Sequence, residues 1–269
     1  MSGAAPRADQ VRLDVDRAGV ARLTFDHPRR LNAISAAMWR ELPALLERVE
    51  EERAIRVLVL QGAGDRAFCT GNDTSEFETI RADAAQSAAY NALQRAVAER
   101  MARLSKPAIA AIHGHCLGAG LELALQCDLR FASADARMGV PAVKLGLPYR
   151  LEDIVKLVDV IGLARTRLMV LTGRIFAGPE LAELGLVTRL LPDRAAMEAA
   201  VAEAAAEIAA AAPLSLKAAK AAFFEITRRD APPDLDRAQR LADACYESAD
   251  YAEGRRARAE KRPPVFRGE

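Results

Sequence analysis

The sequence predicts an α/β fold with largely parallel strand pairing, followed by a helical C-terminal region. Three observations carry that prediction. Short apolar runs alternate with helix-patterned segments through the first 150 residues. After Leu151 the helical pattern takes over, broken mainly by Val187–Leu191. Apolar residues make up 51% of the 269, enough for a sizeable core and too many for a disordered chain.

The elements read in order as follows. VRLDVD (11–16) and VARLTF (20–25) flank an Arg-Ala-Gly turn and form a hairpin. AMWRELPALLERVEEE (37–52) has helical spacing, with Pro43 a blemish near its start. IRVLVLQG (55–62) is a buried strand ending at glycine, and AAYNALQRAVAERMARL (88–104) an amphipathic helix. Pro107 introduces another buried strand, AIAAIHG (108–114), and a helix containing Glu122 follows. DLRFAS (128–133) and ARMGVP (136–141) read as strands. EDIVKLVDVIG, ARTRLMVL, PELAELG and MEAAVAEAAAEIAAAA (197–212) are helical, with Pro179 and Pro213 where first turns begin. No Ser/Gly linker divides the chain. The expected organisation is a core over 1–195 and a helical region over 196–269.

Charge and cysteine content narrow the function classes. Thirty-eight basic residues against 37 acidic ones give a formal net charge of +1, which favours neither nucleic acid nor a membrane surface. The basic cluster GRRARAEKR (254–262) is interleaved with Glu and Ala and reads as a solvated or subunit-facing helix. Cys69, Cys116, Cys127 and Cys245 show no C-x-x-C pair, so free thiols of a reducing compartment are expected. MSGAAPRADQ lacks the apolar core of a leader, and no run reaches membrane-spanning length. A cytoplasmic protein is the expectation.

The stretch GHCLGAGLELALQCDL (114–129) holds the chief chemical candidates. A helix N-terminus offers unpaired N–H groups and partial positive charge, and Gly118-Ala119-Gly120 lets a ligand approach closely. The same glycines serve equally for packing a helix on a sheet. Neither the dinucleotide nor the P-loop pattern is present. Glu122 stands in the first turn of this apolar helix, where an unpaired buried carboxylate costs several kcal/mol, roughly. It is either an exposed or salt-bridged residue, or a general acid/base beside the cradle. Upstream, FCTGNDTSEF (68–77) offers an irregular Gly71-Asn72 backbone, with Asp73 as a turn or cap residue. His113 and His115 alternate along a strand end and would point the same way, but H-x-H alone is half a metal site, and no metal is expected.

These residues carry a family likeness. KPAIAAIHGHCLGAGLELALQCDLRFASADARMGVP resembles the signature region of the crotonase superfamily, the enoyl-CoA hydratase/isomerase family. FCTGNDTSEF resembles its upstream oxyanion loop, of the form F-x-A-G-x-D, and HPRRLNAIS (27–35) its CoA-proximal segment. TGRIFAGPELAELGLVTRLLP (172–192) and SADYAEGRRARAEKRPPVF (248–266) match later landmarks. The likeness implies a crotonase-like spiral of ββα turns with C-terminal helices that build a trimer, often doubled to a hexamer. It implies an acyl-CoA thioester held between the backbone N–H groups of Asn72 and Ala119, with Glu122 as the first catalytic glutamate. No cofactor beyond the substrate's own coenzyme A is expected. Substrate contacts would come from Arg29, Arg30, Ala33, Thr70, Gly71, Asp73, Gly118, Ala142 and Arg150, and from Lys261 and Phe266 reaching a neighbour's site.

Two departures matter. Hydratases of this family carry a second glutamate in a segment of the form F-G-x-P-E, where this chain has MGVPAVKLG and therefore Ala142. Where the family often has P-G-x-G-G, this chain has PYRLEDIVKL (148–157), so Glu152 or Asp153 could replace the missing acid, or simply favour the helix start. Hydration leads the readings. Isomerisation by one carboxylate is an alternative, and so is decarboxylation with Lys144 and Arg150 holding a substrate carboxylate. Acyl-CoA binding without turnover is the reading from another class.

Overall fold

The computed structural model describes residues 9–229 and 231–269; residues 1–8 of the stretch read for a leader lie outside them. Ten strands form two sheets. The larger has the order β1 (Gln10–Val15), β2 (Val20–Asp26), β3 (Val57–Gly62), β5 (Ala108–Ile112), β7 (Leu129–Ser133), β10 (Arg189–Leu191). The smaller has the order β4 (Ala67–Cys69), β6 (His115–Leu117), β8 (Arg137–Gly139), β9 (Ile175–Ala177). Among the strand pairs of the described residues, only β1–β2 and β8–β9 are antiparallel.

The helices are α1 (Ala36–Glu51), α2 (Phe77–Ile80), α3 (Ala84–Arg103), α4 (Ala119–Gln126), α5 (Leu151–Thr172), α6 (Pro179–Glu183), α7 (Arg194–Ala210), α8 (Pro213–Thr227), α9 (Leu235–Tyr246) and α10 (Ala249–Glu260). The chain thus winds as repeated ββα units. Each of β3/β4, β5/β6 and β7/β8 sends its first strand to the large sheet and its second to the small one.

The apolar runs of β3 and β5 are continuous because both faces are covered. Leu58, Leu60, Ala108, Ala110 and Ile112 face the main core with α1, α3 and α4. Val57, Val59, Ile109 and Ala111 face a second core built with Met197, Ala200 and Val201 of α7. The sheet's second face is therefore closed by α7, and packed structure continues past residue 195 to the end of that helix. Side-chain caps start α1, α3 and α7: Ser35 accepts from Met38 N–H, Asp83 from Gln86 and Asp193 from Ala196, so that α3 and α7 begin at Ala84 and Arg194, ahead of the patterns read from Ala88 and Met197. Pro43 lies inside α1, which runs on unbroken. The two helical patterns after Leu151 join at Gly162, whose φ of 77° kinks α5.

Among the described residues no single helix is long and apolar enough to cross a membrane. The four cysteines are free, three of them buried. The two histidines depart from expectation. Gly114, with φ of +54°, separates the sheets here: His113 is buried after β5, while His115 opens β6 and is part-exposed. They do not line one strand face.

Candidate active site

The small sheet positions the site. Strands β4, β6 and β8 are adjacent and parallel, so the segments leaving their C-terminal ends emerge side by side. Those segments carry Thr70–Asp73, Gly118 with the start of α4, and Pro141–Leu145. The cavity at this edge is lined by Thr70, Gly71, Asn72, Gly118, Ala119 and Ala142 from the first set, and by Glu122, Arg150 and Asp153 beside them.

Two glycines set how closely these segments approach. A Cβ on Gly120 would stand 2.3 Å from the Cys69 carbonyl oxygen, so α4 docks on β4 only with hydrogen there. Gly71 has φ of +91°, and a Cβ on it would lie 3.1 Å from Ala119 N. Gly71, whose carbonyl carbon bears the Asn72 N–H group, and the first N–H of α4 therefore border one small space. Ala119 is the first residue of its helix, where N–H groups have no intrahelical partner. At Asn72, the bridge to Ile34 uses Gly71 C=O and Asp73 N–H, which turns the Asn72 N–H away from Ile34. Neither N–H donates to another group among the described residues.

The Asn72 side chain points backward. Its Oδ1 accepts from Trp39 Nε1 at 2.9 Å, Tyr90 Oη at 3.2 Å and Gln94 Nε2 at 2.6 Å. Three donors on one buried oxygen hold the loop fixed; a net contribution of about 1 kcal/mol per bond is typical. The Glu76 carboxylate accepts from Ala36 N–H at 2.8 Å and ties the next turn to α1.

Glu122 projects from the first turn of α4 into the cavity with 15% of its side chain exposed. The charge that partners it lies 28 residues along the chain. Arg150 Nη2 donates to Glu122 Oε2 at 3.1 Å, and the same guanidinium grips Asp153 twice, Nε–Oδ2 at 2.6 Å and Nη2–Oδ1 at 3.0 Å. Two carboxylates thus share one cation. Burial pushes both acids up, and for Glu122 the Asp153 charge adds to the effect while Arg150 and Tyr149 oppose it. Asp153 holds Arg150 by two bonds and Glu122 by one, so Glu122 is the acid left to take a proton; its pKa is pushed up to about 8. The Tyr149 hydroxyl is buried beside Glu122, with no partner at hydrogen-bonding geometry among the described residues.

The remaining sequence candidates separate. Glu152 points out of the cavity and pairs with Arg95 at 3.3 Å, so Asp153 is the acid that the α5 start brings to the site. Asp73 does not line the cavity: it accepts from Ser75 N–H at 3.0 Å and Ser75 Oγ at 2.7 Å, the cap that its residue type favours. Ala33 is buried behind the wall, where its carbonyl lies 3.1 Å from His27 Nδ1. Arg29 and Arg30 are exposed on a 3₁₀ turn, and Thr70 Oγ1 reaches Leu31 C=O at 3.2 Å beside them. Lys261 and Phe266 lie with α10, away from the cavity; the Phe266 ring packs over Gly254. Trp39, Tyr90 and Gln94 escape a reading by motif. Their one signal is Gln94, a polar side chain on the buried stripe of α3 with Tyr90, Val97 and Met101.

Comparison with known proteins shows what the chain as a whole is similar to. The sequence model of the enoyl-CoA hydratase/isomerase family matches residues 16–269. An (E)-benzylidenesuccinyl-CoA hydratase of Thauera aromatica is 34% identical over 251 residues, covering 93% of this chain and 96% of that protein. A peroxisomal Delta(3,5)-Delta(2,4)-dienoyl-CoA isomerase of Arabidopsis thaliana is 29% identical over 257 residues, 92% of each. The crystal structure of an enoyl-CoA hydratase/carnithine racemase from Magnetospirillum magneticum superposes with a TM-score of 0.90 at 36% identity, covering 98% of this chain and 97% of that one.

Proposed function

The chain belongs to the enoyl-CoA hydratase/isomerase family, and we propose that within it the protein adds water across the conjugated double bond of an enoyl-CoA, with Glu122 as the single acid that handles the proton. The family acts on acyl-CoA thioesters, and this is an enzyme of hydratase/isomerase type. The observation that carries the finer reading is the meeting of two unengaged backbone N–H groups, Asn72 and Ala119, beside a carboxyl of raised pKa.

In this reading the thioester oxygen sits between the two N–H groups, and they stabilise the negative charge that develops on it. One such donor is typically worth about 10²–10³ in rate. Both donors are main chain, so Asn at 72 and Ala at 119 serve as well as glycine. Glu122 enters protonated and gives its proton to the α-carbon of the enolate that water attack creates. Water attacks the β-carbon, and its departing proton returns to the Glu122 carboxylate. One C–H and one C–O bond form, one water O–H bond and the C=C π bond break, and the enzyme ends as it began. Asp153 keeps Arg150 neutralised, so that Glu122 retains its proton. Arg29 and Arg30, at the mouth beside Thr70, would meet the CoA phosphates, and Lys261 and Phe266 would serve a neighbouring copy. The exposed Leu163, Leu168, Leu171, Phe223 and Ile226 on α5 and α8 support assembly of copies, a trimer or a doubled trimer.

One observation favours isomerisation as the second reading. Ala142 beside Val140 and Pro141 brings no carboxylate to the cavity, and Asp153, the other acid lining it among the described residues, is held by Arg150. The two separate on crotonyl-CoA and a 3-enoyl-CoA in D₂O. Hydration removes the conjugated absorbance of crotonyl-CoA and places deuterium at the α-carbon. Unchanged absorbance at high enzyme concentration, with conjugation appearing from the 3-enoyl thioester, would replace hydration by isomerisation. Glu122→Gln is expected to lower kcat about 10²–10⁴-fold. Because the acid must be protonated, wild-type hydration declines as pH rises through about 8.

A further inference from the structure

Arg81 lines the same cavity, just past the end of α2, and the proton chemistry above does not use it. Its guanidinium lies 5.0 Å from the Phe77 ring centroid and 5.2 Å from that of Tyr90, so two rings fix its position. One nitrogen, Nη2, donates to Asn91 Oδ1 at 3.1 Å; Nε and Nη1 have no partner among the described residues. No carboxylate there lies within ion-pair distance of it. The nearby acids are already committed. Glu122 and Asp153 share Arg150, whose own Nη1 reaches the Asn91 carbonyl at 3.4 Å. Asn91 thus stands between two arginines, one fully engaged and one with free donors.

A part-buried guanidinium without an anion is costly, and its planar fork matches a carboxylate through two parallel bonds. Aromatic contacts hold its plane, and Asn91 takes Nη2, but Nε and Nη1 have no partner among the described residues. Resting on the acyl-CoA reading of the cavity, we propose that Arg81 binds the far end of the acyl chain and selects thioesters that carry a second, distal carboxylate. The carboxylate would complete Arg81 as Asp153 completes Arg150. The uncharged end of a simple acyl chain would leave the guanidinium unpaired.

Binding separates this proposal from the question of turnover. Titration calorimetry on the full chain would compare succinyl-, glutaryl- and adipyl-CoA with butyryl-, valeryl- and hexanoyl-CoA of matching length. At least one dicarboxylic member is expected to bind about tenfold or more tightly than its match, the scale of a charge-assisted bidentate pair. Arg81→Gln should weaken that member at least tenfold, and its uncharged match by less than about threefold. Arg81→Lys, which keeps the charge and loses the fork, should recover part of the difference and shows that the loss is not one of folding. Equal binding across the matched pairs overturns the proposal and leaves the acyl-CoA site standing. So does an Arg81→Gln variant that weakens every thioester and free CoA alike, which would place Arg81 on the CoA phosphates. Failure of all six thioesters to bind overturns the acyl-CoA reading itself and this proposal with it.

Discussion

One wall of the cavity is built from main chain and the other from charge. On the first, Gly71, Asn72, Gly118 and Ala119 present backbone, and the only side chain of consequence, Asn72, turns away to be held by Trp39, Tyr90 and Gln94. On the second, Glu122, Arg150, Asp153 and Tyr149 act through their side chains, and nearly every polar atom depends on a neighbour. The difference teaches where each wall tolerates change. A main-chain donor survives any side chain that leaves the backbone in place. A shared-cation cluster is altered by any change in the count of its charges.

Gly71→Ala strikes the first wall hardest. The new methyl would sit 3.1 Å from Ala119 N, in the space that the proposed reading gives the thioester oxygen, on a residue whose φ of +91° disfavours any side chain. A fall in kcat/KM of about 10²–10³-fold on an enoyl-CoA is expected, the scale of losing one donor. Near-normal turnover would mean that the oxygen lies elsewhere.

The second wall is probed by its charge count. Asp153→Asn leaves Arg150 to Glu122 alone, which favours the ionised glutamate and lowers its pKa. In the proposed hydration the acid must be protonated, so the decline in rate expected of wild type near pH 8 should move to lower pH in the variant. A pH–rate profile reads this directly, and an unmoved limb would dissociate the pair. The smallest effect belongs just outside the wall. Glu152 is paired to Arg95 at the surface, and Glu152→Gln should leave kcat/KM within about twofold. A loss comparable to that of Glu122→Gln would instead put the second acid at Glu152.

The walls also differ in how far the sequence foretells them. The large sheet could be read because β2, β3, β5 and β7 are apolar runs of five to seven residues with turn signals around them. Of the small sheet, only β8 could be read. All four of its strands have three residues, too few to show a period; β8 stands out only as an apolar-ended run before Pro141, and β6 is hidden inside a stretch whose glycines dominate the pattern. The loops of the main-chain wall are nonetheless marked locally in the sequence, because glycines and a helix start stand out there. The charged wall was foretold only in its parts.

By itself the sequence determined the alternation of strand and helix, the small residues that open two loops, and a carboxylate among apolar neighbours. These are properties of consecutive residues, governed by backbone sterics and solvation. Only the tertiary structure decided that Arg150 and Asp153 meet Glu122, that Glu152 and Asp73 do not, and that Arg81 enters the cavity with its donors free. Such choices depend on side chains tens of residues apart, brought together by which strands pair and which loops emerge beside one another; no local pattern encodes that distance.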